Sequence, residues 1–467
     1  MSFDLSLTPA HEELVARTHR FAEEVIRPAA AHYDREQEFP VPIIDQAARA
    51  GFYDPLFYRD LIGDPTGLSL PLFMEELFWG CAGIGLSIVM PALALSAMAQ
   101  AGTSEQLLRW APECFGEPGN LKFAALCITE PEGGSDVANL RTTAVRDGGE
   151  WVIDGHKVFI GNGGIADVHV VNATVDPELG HRGQALFVVP GGTEGLRLVR
   201  KLDKLGCRAS HTAELRFEGV RVPADHVLGG EDRLERRLRD AREPSSNGTG
   251  RSRRGSPVLG AFEQTRPMVA AQALGIARAA LEFARDYAAE REAFGEPIIA
   301  KQGVSFPLAD LFADLDAARM LTWRAAWMAA NRVPFHYAEG SMAKLKAAEV
   351  AQRAAEQAIQ VCGGWGYISD LPVEKWYRDA KLYAIFEGTS EIQRVVIGRA
   401  LAQSAGQPPL HHGLPTEGGL LSRQLGRGTP RRSQAGRVAL RSAQRMPAPV
   451  LRAAMKVLSP PKPPERR

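Results

Sequence analysis

The spacing of apolar residues changes twice along this chain, and a sequence that changes period twice has to build more than one kind of layer. From Thr8 the spacing is helical: Thr8 is a capping residue type, Pro9 suits a first turn, and Leu14, Thr18, Phe21 and Val25 fall on one face. Helical signals continue to about Pro118. After Leu121 the texture is that of strands. In residues 151–160 the pair Asp154-Gly155 stands between two apolar runs and predicts a hairpin turn, and 168–175, 185–189 and 215–222 are β-branched or alternating segments closed by Gly or Pro. From about Pro257 the helical period returns. There Leu345, Ala348, Ala351, Ala355, Ala358 and Cys362 recur at three- and four-residue steps, a face of small residues suited to close helix packing. The expectation is an α+β chain with an N-terminal helical domain over 1–121, a central, mainly antiparallel β-domain over 122–230 and a C-terminal helical bundle over 257–403.

Two segments stand outside this pattern. Residues 231–256 are Arg-rich and then Ser/Gly-rich, which predicts a flexible surface insertion. The tail over 404–467 is rich in Pro, Gly and Arg and predicts disorder; from Gln403 onward it holds twelve Lys or Arg against two acidic residues. The whole chain carries 55 basic and 55 acidic residues, so there is no global pull toward nucleic acid or membrane. The apolar run over 84–99 is interrupted by Pro91 and is too short to span a bilayer, so it reads as a buried helix pair. Five cysteines, odd in number and without a CxxC pair, suggest neither a disulfide framework nor a zinc site. With no basic leader followed by an apolar run at the N-terminus, the expected location is the cytoplasm.

Several motifs are candidates for chemistry, each with a plainer alternative. Leu126 and Ile128 run into Thr129, Gly133, Gly134 and Ser135, where backbone N–H groups and hydroxyls suit a carbonyl-rich ring, although a ligand-free tight turn also explains such glycines. Phe159, Ile160 and Gly161 place an aromatic before a glycine-lined turn, or a core residue before a loop. Arg291, Phe294 and Gln302 offer a cation and an amide for a diphosphate, or a solvated helix arginine. Gly363, Gly364, Trp365, Gly366 and Tyr367 follow a helix and exceed what a glycine cap needs. Finally, Glu387 stands beside Gly388 and before Thr389, Ser390 and Glu391. That is a helix N-terminus, and also a place where a carboxylate lodged among apolar side chains would gain a raised pKa and act as a base.

With Thr129 through Asp136, Arg291 with Phe294-Gly295, Gly363-Gly364 with Gly366-Tyr367, and Phe386 through Arg394 in this order, the chain resembles the acyl-CoA dehydrogenase family. The resemblance covers about 1–403 apart from the insertion, and 262–271 is especially similar to the medium- and short-chain members. It implies an N-terminal helical domain, a central antiparallel β-domain and a C-terminal four-helix bundle that bind FAD. On this resemblance Leu126, Ile128, Thr129, Gly134 and Ser135, with Phe159, Ile160 and Gly161, line the flavin ring. Arg291, Phe294 and Gln302 hold the diphosphate side, and Gly363, Gly364, Trp365, Gly366 and Tyr367 with Thr389, Ser390 and Glu391 contact the dinucleotide. Ser135, Glu263, Arg266 and Gly388 are implied on the substrate side.

Glu387 matches the family's base, which takes the α-proton of an acyl-CoA as the β-hydride leaves for flavin N5, giving a trans-2-enoyl-CoA. Thr265 stands where other branches of the family carry their base and cannot act as one; Glu263 is the rival. Glu132 replaces a usual glycine, and Phe159 a frequent Trp. An electron-transfer flavoprotein as acceptor and a homo-oligomer built as a dimer of dimers are further implications. The alternatives are an oxidase-like flavoenzyme and a DNA-associated flavoprotein using the tail; no nucleic acid is expected as a partner.

Overall fold

The computed structural model describes residues 6–137, 139–243 and 257–404, with backbone only for 257–264. The tail beyond Ser404 and the Ser/Gly-rich half of the insertion, about which disorder and flexibility were expected, lie outside the described residues.

The N-terminal helices are α1 (Pro9–Phe21), α2 (Arg27–Glu36), α3 (Val41–Arg49), α4 (Pro55–Gly63), α5 (Ser69–Gly80), α6 (Ala82–Ala101) and α7 (Ser104–Phe115). Thr8 caps α1 in a reciprocal box with His11, as its residue type predicts, and Thr103 does the same for α7 with Gln106; each such cap is worth about 1 kcal/mol. The apolar run is not a helix pair. It is one helix, α6, with Pro91 inside it. Its length and composition would suffice to cross a membrane, so shortness is not what argues against a span; 67% of its apolar window is buried inside the protein.

A short hairpin, β1 (Gly116–Glu117) with β2 (Asn120–Leu121), leads into the sheet domain. Its strands are β3 (Ala124–Cys127), β4 (Thr143–Asp147), β5 (Glu150–Gly161), β6 (Val168–Thr174), β7 (Gln184–Pro190), β8 (Leu196–Lys201) and β9 (Thr212–Pro223). The order is β3-β6-β4-β5-β9-β8, with β7 beside β6. The sheet is mixed: β6 runs parallel to both β3 and β4, and the remaining pairs are antiparallel.

The hairpin expected at Asp154-Gly155 does not exist. β5 runs straight through that pair with a register shift, and the reversal falls instead between Asp147 and Glu150. Gly155 serves close packing, because a Cβ there would lie 2.3 Å from Thr142 Oγ1.

The Arg-rich half of the insertion is a helix, α8 (Glu231–Arg242), contrary to the flexible reading. Leu234 and Leu238, four residues apart, pack against the sheet-domain core, while Glu231 and Asp232 occupy the first turn and Arg239 and Arg242 the last, the charge order a helix dipole favours.

The C-terminal helices are α9 (Pro257–Glu290), α10 (Gln302–Ala330), α11 (Glu339–Cys362), α12 (Val373–Leu382) and α13 (Ser390–Ser404); the hairpin β10 (Glu292–Ala293) with β11 (Glu296–Pro297) joins α9 to α10. The small-residue face of α11 is buried at Ala348, Ala351, Ala355, Ala358 and Cys362. One hydrophobic core spans the N-terminal helices and this bundle, and α5 lies directly on α9. At Gly275 a Cβ would sit 2.4 Å from the Glu75 carbonyl, so the two backbones meet there. Around that crossing Arg278 pairs with Glu76 at 2.5 Å and Arg319 with Glu75 at 2.8 Å.

Candidate active site

Glu387 sits in the turn between α12 and α13. The Leu382 carbonyl accepts from Ile385 and Phe386 N–H at 2.8 and 3.0 Å, and the Ala384 carbonyl accepts from Ser390 N–H at 2.9 Å, so the chain reverses within a few residues. Glu387 and Gly388 both adopt left-handed backbone angles, with φ of 54° and 86°. For a glutamate this costs on the order of 1–2 kcal/mol, so the surroundings must hold it. They do so through two buried donors. Gln393 Nε2 donates to the carbonyls of Glu387 and Gly388 at 3.2 and 2.9 Å, and Lys344 Nζ donates to the Gly388 carbonyl at 2.7 Å.

Among the described residues the carboxyl itself receives no hydrogen bond at Oε2. Glu387 Oε2 is shielded from solvent and unpartnered among the described residues, as are Ser390 Oγ and Gln393 Oε1. Buried polar atoms are normally satisfied, so three orphans within seven residues mark a place that a bound molecule completes. Burial pushes the Glu387 carboxyl above its ordinary range; Lys344 and Arg266 pull it back only in part. Arg266 is buried on α9 and donates from Nη1 to Ser341 Oγ at 2.8 Å, so it lies beside the base and not out on the surface. The side chain of Glu263, the rival base, lies outside the described residues.

The second constellation is in the sheet domain, where the segment after β3 is fastened to the end of β5. Val158 N–H donates to the Thr129 carbonyl at 2.9 Å, and Lys157 Nζ donates to the Ile128 carbonyl and to Glu130 Oε1, both at 2.8 Å. Glu130 also accepts from the N–H groups of Arg141 and Thr142 at 2.6 and 3.0 Å, which closes the loop containing Gly134 and Ser135. The pairing of β5 with β9 shifts register between Lys157 and Ile160, and Phe159 takes φ 62°, a bulge that turns its ring outward to 67% exposure. Gly161 admits the side chain of Met90 from α6: a Cβ there would lie 2.6 Å from its sulfur. Gly134 and Ser135 are exposed, and a Cβ on Gly134 would meet nothing nearer than 3.8 Å, so that glycine leaves open space.

The remaining motif residues stand apart at exposed tips. Phe294, with φ 56°, and Gly295 form the end of the β10–β11 hairpin, where the Phe294 ring is 96% exposed; Arg291 and Gln302 flank it on the surface. Gly363 to Tyr367 form a single 3-10 turn after α11 in which Gly366 is buried against Ile359, and Trp365 and Tyr367 are 53% and 76% exposed. Gly363 lies nineteen positions beyond Lys344, roughly 28 Å along a helix axis, too far to join the Glu387 turn in one ring pocket. The tips form their own surface.

Residues to which the sequence alone assigns no role are Lys344, Gln393, Ser341 and the Lys157–Glu130 pair. A signal for the first was present: Lys344 stands four residues before Ala348, on the apolar stripe of α11, where a charge is out of place.

Comparison with known proteins gives the same order of a helical, a sheet and a helical domain. Residues 8–118 match the model of the acyl-CoA dehydrogenase N-terminal domain, 125–220 that of the middle domain and 255–402 that of the C-terminal domain. The chain is 39% identical over 403 residues to the mitochondrial short-chain specific acyl-CoA dehydrogenase of Bos taurus, covering 86% of this chain and 92% of that protein. Among solved structures, butyryl-CoA dehydrogenase from Megasphaera elsdenii aligns with a TM-score of 0.75 at 33% identity, over 85% of this chain and 100% of that one. A chain from the structure of the electron transferring flavoprotein of Acidaminococcus fermentans aligns with the same TM-score and identity, over 85% and 99%.

Proposed function

The chain belongs to the acyl-CoA dehydrogenase family and is an FAD-dependent oxidoreductase of acyl-CoA thioesters, and from that premise we propose that Glu387 is the base that removes the α-proton. The observation that carries this reading is the shielded, unpartnered carboxyl oxygen of Glu387, displaced upward in pKa by burial.

The residues present fit the flavin. The segments after β3 and at the end of β5 are locked together yet present an open glycine at Gly134, an exposed hydroxyl at Ser135 and an outward aromatic at Phe159, which suits a flat polar ring with an apolar face. FAD, when bound, supplies the hydride acceptor for the β-carbon. The protein's part is to hold the thioester with its α-carbon against Glu387, which takes the proton as the α–β double bond forms, and ends protonated.

A carboxyl with a raised pKa is the better match for this work, since it is a stronger base than an exposed one once ionised. Among the described residues the Glu387 N–H has no acceptor and is available to the thioester carbonyl, where it would stabilise enolate-like charge. The exposed tips at Phe294, Trp365 and Tyr367 support an assembly in which a second copy covers them and shares the dinucleotide, in line with a homo-oligomeric dimer of dimers. Five buried, unpaired thiols support a cytoplasmic setting. The names of the similar proteins make a butyryl-length thioester the first substrate to test, with an electron-transfer flavoprotein as acceptor. Anaerobic bleaching of the yellow protein by butyryl-CoA checks the base: E387Q should bind flavin and not bleach. A variant that bleaches at the wild-type rate removes Glu387 from the role.

A further inference from the structure

Lys344 projects from the second turn of α11 into the protein interior, where it is 1% exposed. Its ammonium bonds a neutral carbonyl, that of Gly388, and among the described residues no carboxylate pairs with it directly. An ammonium buried in this way is costly, and a neutral amide would serve a carbonyl as well; Gln393 already does so on the same oxygen. A charge kept at such a place has an electrostatic use.

The surroundings say which. One helical turn before Lys344, Ser341 receives Arg266 from α9, so a single face of α11 gathers both cations that act on Glu387. Among the described residues the charged groups that face Lys344 are Glu387 in the turn, Arg266 on α9 and Glu391 at the start of α13. Glu391 is exposed, which leaves Glu387, half-buried and with its Oε2 shielded from solvent, as the anion of the set on which the charge acts.

We propose that Lys344 is a positioning residue for the base: its ammonium clamps the Gly388 carbonyl, fixing the left-handed turn, and its positive charge keeps the buried Glu387 carboxyl ionised and ready to accept a proton. The inference rests on the reading of Glu387 as the base. Burial draws the Lys344 pKa down to about 8, with Glu387 resisting the fall, so the ammonium is still charged at neutral pH. Where Lys344 is charged, the carboxylate form of Glu387 is favoured. Removing that charge raises the pH at which the carboxyl ionises.

The test is the pH dependence of anaerobic bleaching by butyryl-CoA in flavin-loaded wild type, K344M, K344R and E387Q. In K344M the acidic limb should move up by about one pH unit or more, and K344R should return it to the wild-type position. The same displacement should show in substrate-free protein, in the infrared band of the protonated carboxyl that E387Q deletes. A K344M rate lowered equally at every pH, with limb and band unmoved, would mean a structural clamp only and overturns the proposal. If E387Q bleaches normally, the reading of Glu387 itself fails; if E387Q is inert while the K344M limb stays put, only the Lys344 assignment fails. Should K344M not accumulate as yellow protein, K344Q takes its place under the same criterion, since it keeps a donor for the carbonyl and lacks the charge.

Discussion

Two buried lysines serve two carboxylates in opposite ways. In the sheet domain Lys157 touches Glu130 at 2.8 Å, and Glu130 also collects two backbone N–H groups. Burial alone would lift the Glu130 carboxyl, but Lys157 and these donors outweigh it and hold its pKa below the ordinary range. In the bundle Lys344 stops at a backbone carbonyl, and Glu387, lacking any hydrogen bond at Oε2, has its pKa raised. The same pair of side chains gives an inert fastener in one place and a poised base in the other. What differs is whether the anion's hydrogen bonds are filled by the protein or left for something else.

The largest tests of that contrast remove one charge at each place, the carboxylate in the bundle and the lysine in the sheet domain. E387Q should lower the bleaching rate by roughly 10²–10⁴-fold with little change in thermal stability, the range a positioned base supplies; a variant that mainly unfolds would make Glu387 a fastener too. K157M should do the reverse, costing about 3–5 kcal/mol in urea unfolding because it strands a buried anion. An unchanged midpoint there would show that Glu130 finds other partners.

Next comes G388A. The new Cβ would lie 2.7 Å from Gln393 Nε2 in a left-handed residue, so a stability loss of about 1–2 kcal/mol should accompany a larger relative loss of bleaching. The smallest effect is in acid. Because Glu130 has a depressed pKa when folded, its contribution is complete above the unfolded value near 4.5 and falls as pH drops through the folded one. Denaturant unfolding of the wild type should therefore lose stability below that pH more steeply than E130Q, and parallel curves would contradict the depressed pKa.

Much of this was legible beforehand, for reasons that differ by residue. The three-part texture survives because apolar period is a local property, and the motif residues fall where short backbone patterns put them. Asp154-Gly155 misled because a glycine needed for contact with Thr142 looks, in one dimension, like a glycine needed for a turn. The helix α8 was hidden by its arginines, although Leu234 and Leu238 already had helical spacing. Lys344 gives a weak signal in one dimension because the small residues that follow it on the same stripe account for the packing of α11 without it. The separation of the exposed tips from the Glu387 turn depends on the length of α11 and on tertiary path, which no motif records.

The crossing of α5 on α9 has a consequence for how the molecule is made. The N-terminal helices leave the ribosome roughly two hundred residues before Gly275, the point at which α9 meets the Glu75 backbone. At translation rates of ~5–20 residues per second, α5 waits on the order of ten to forty seconds with its apolar flank uncovered. Nascent chains halted in the sheet domain should therefore be clients for chaperones, and release from them should coincide with emergence of α9.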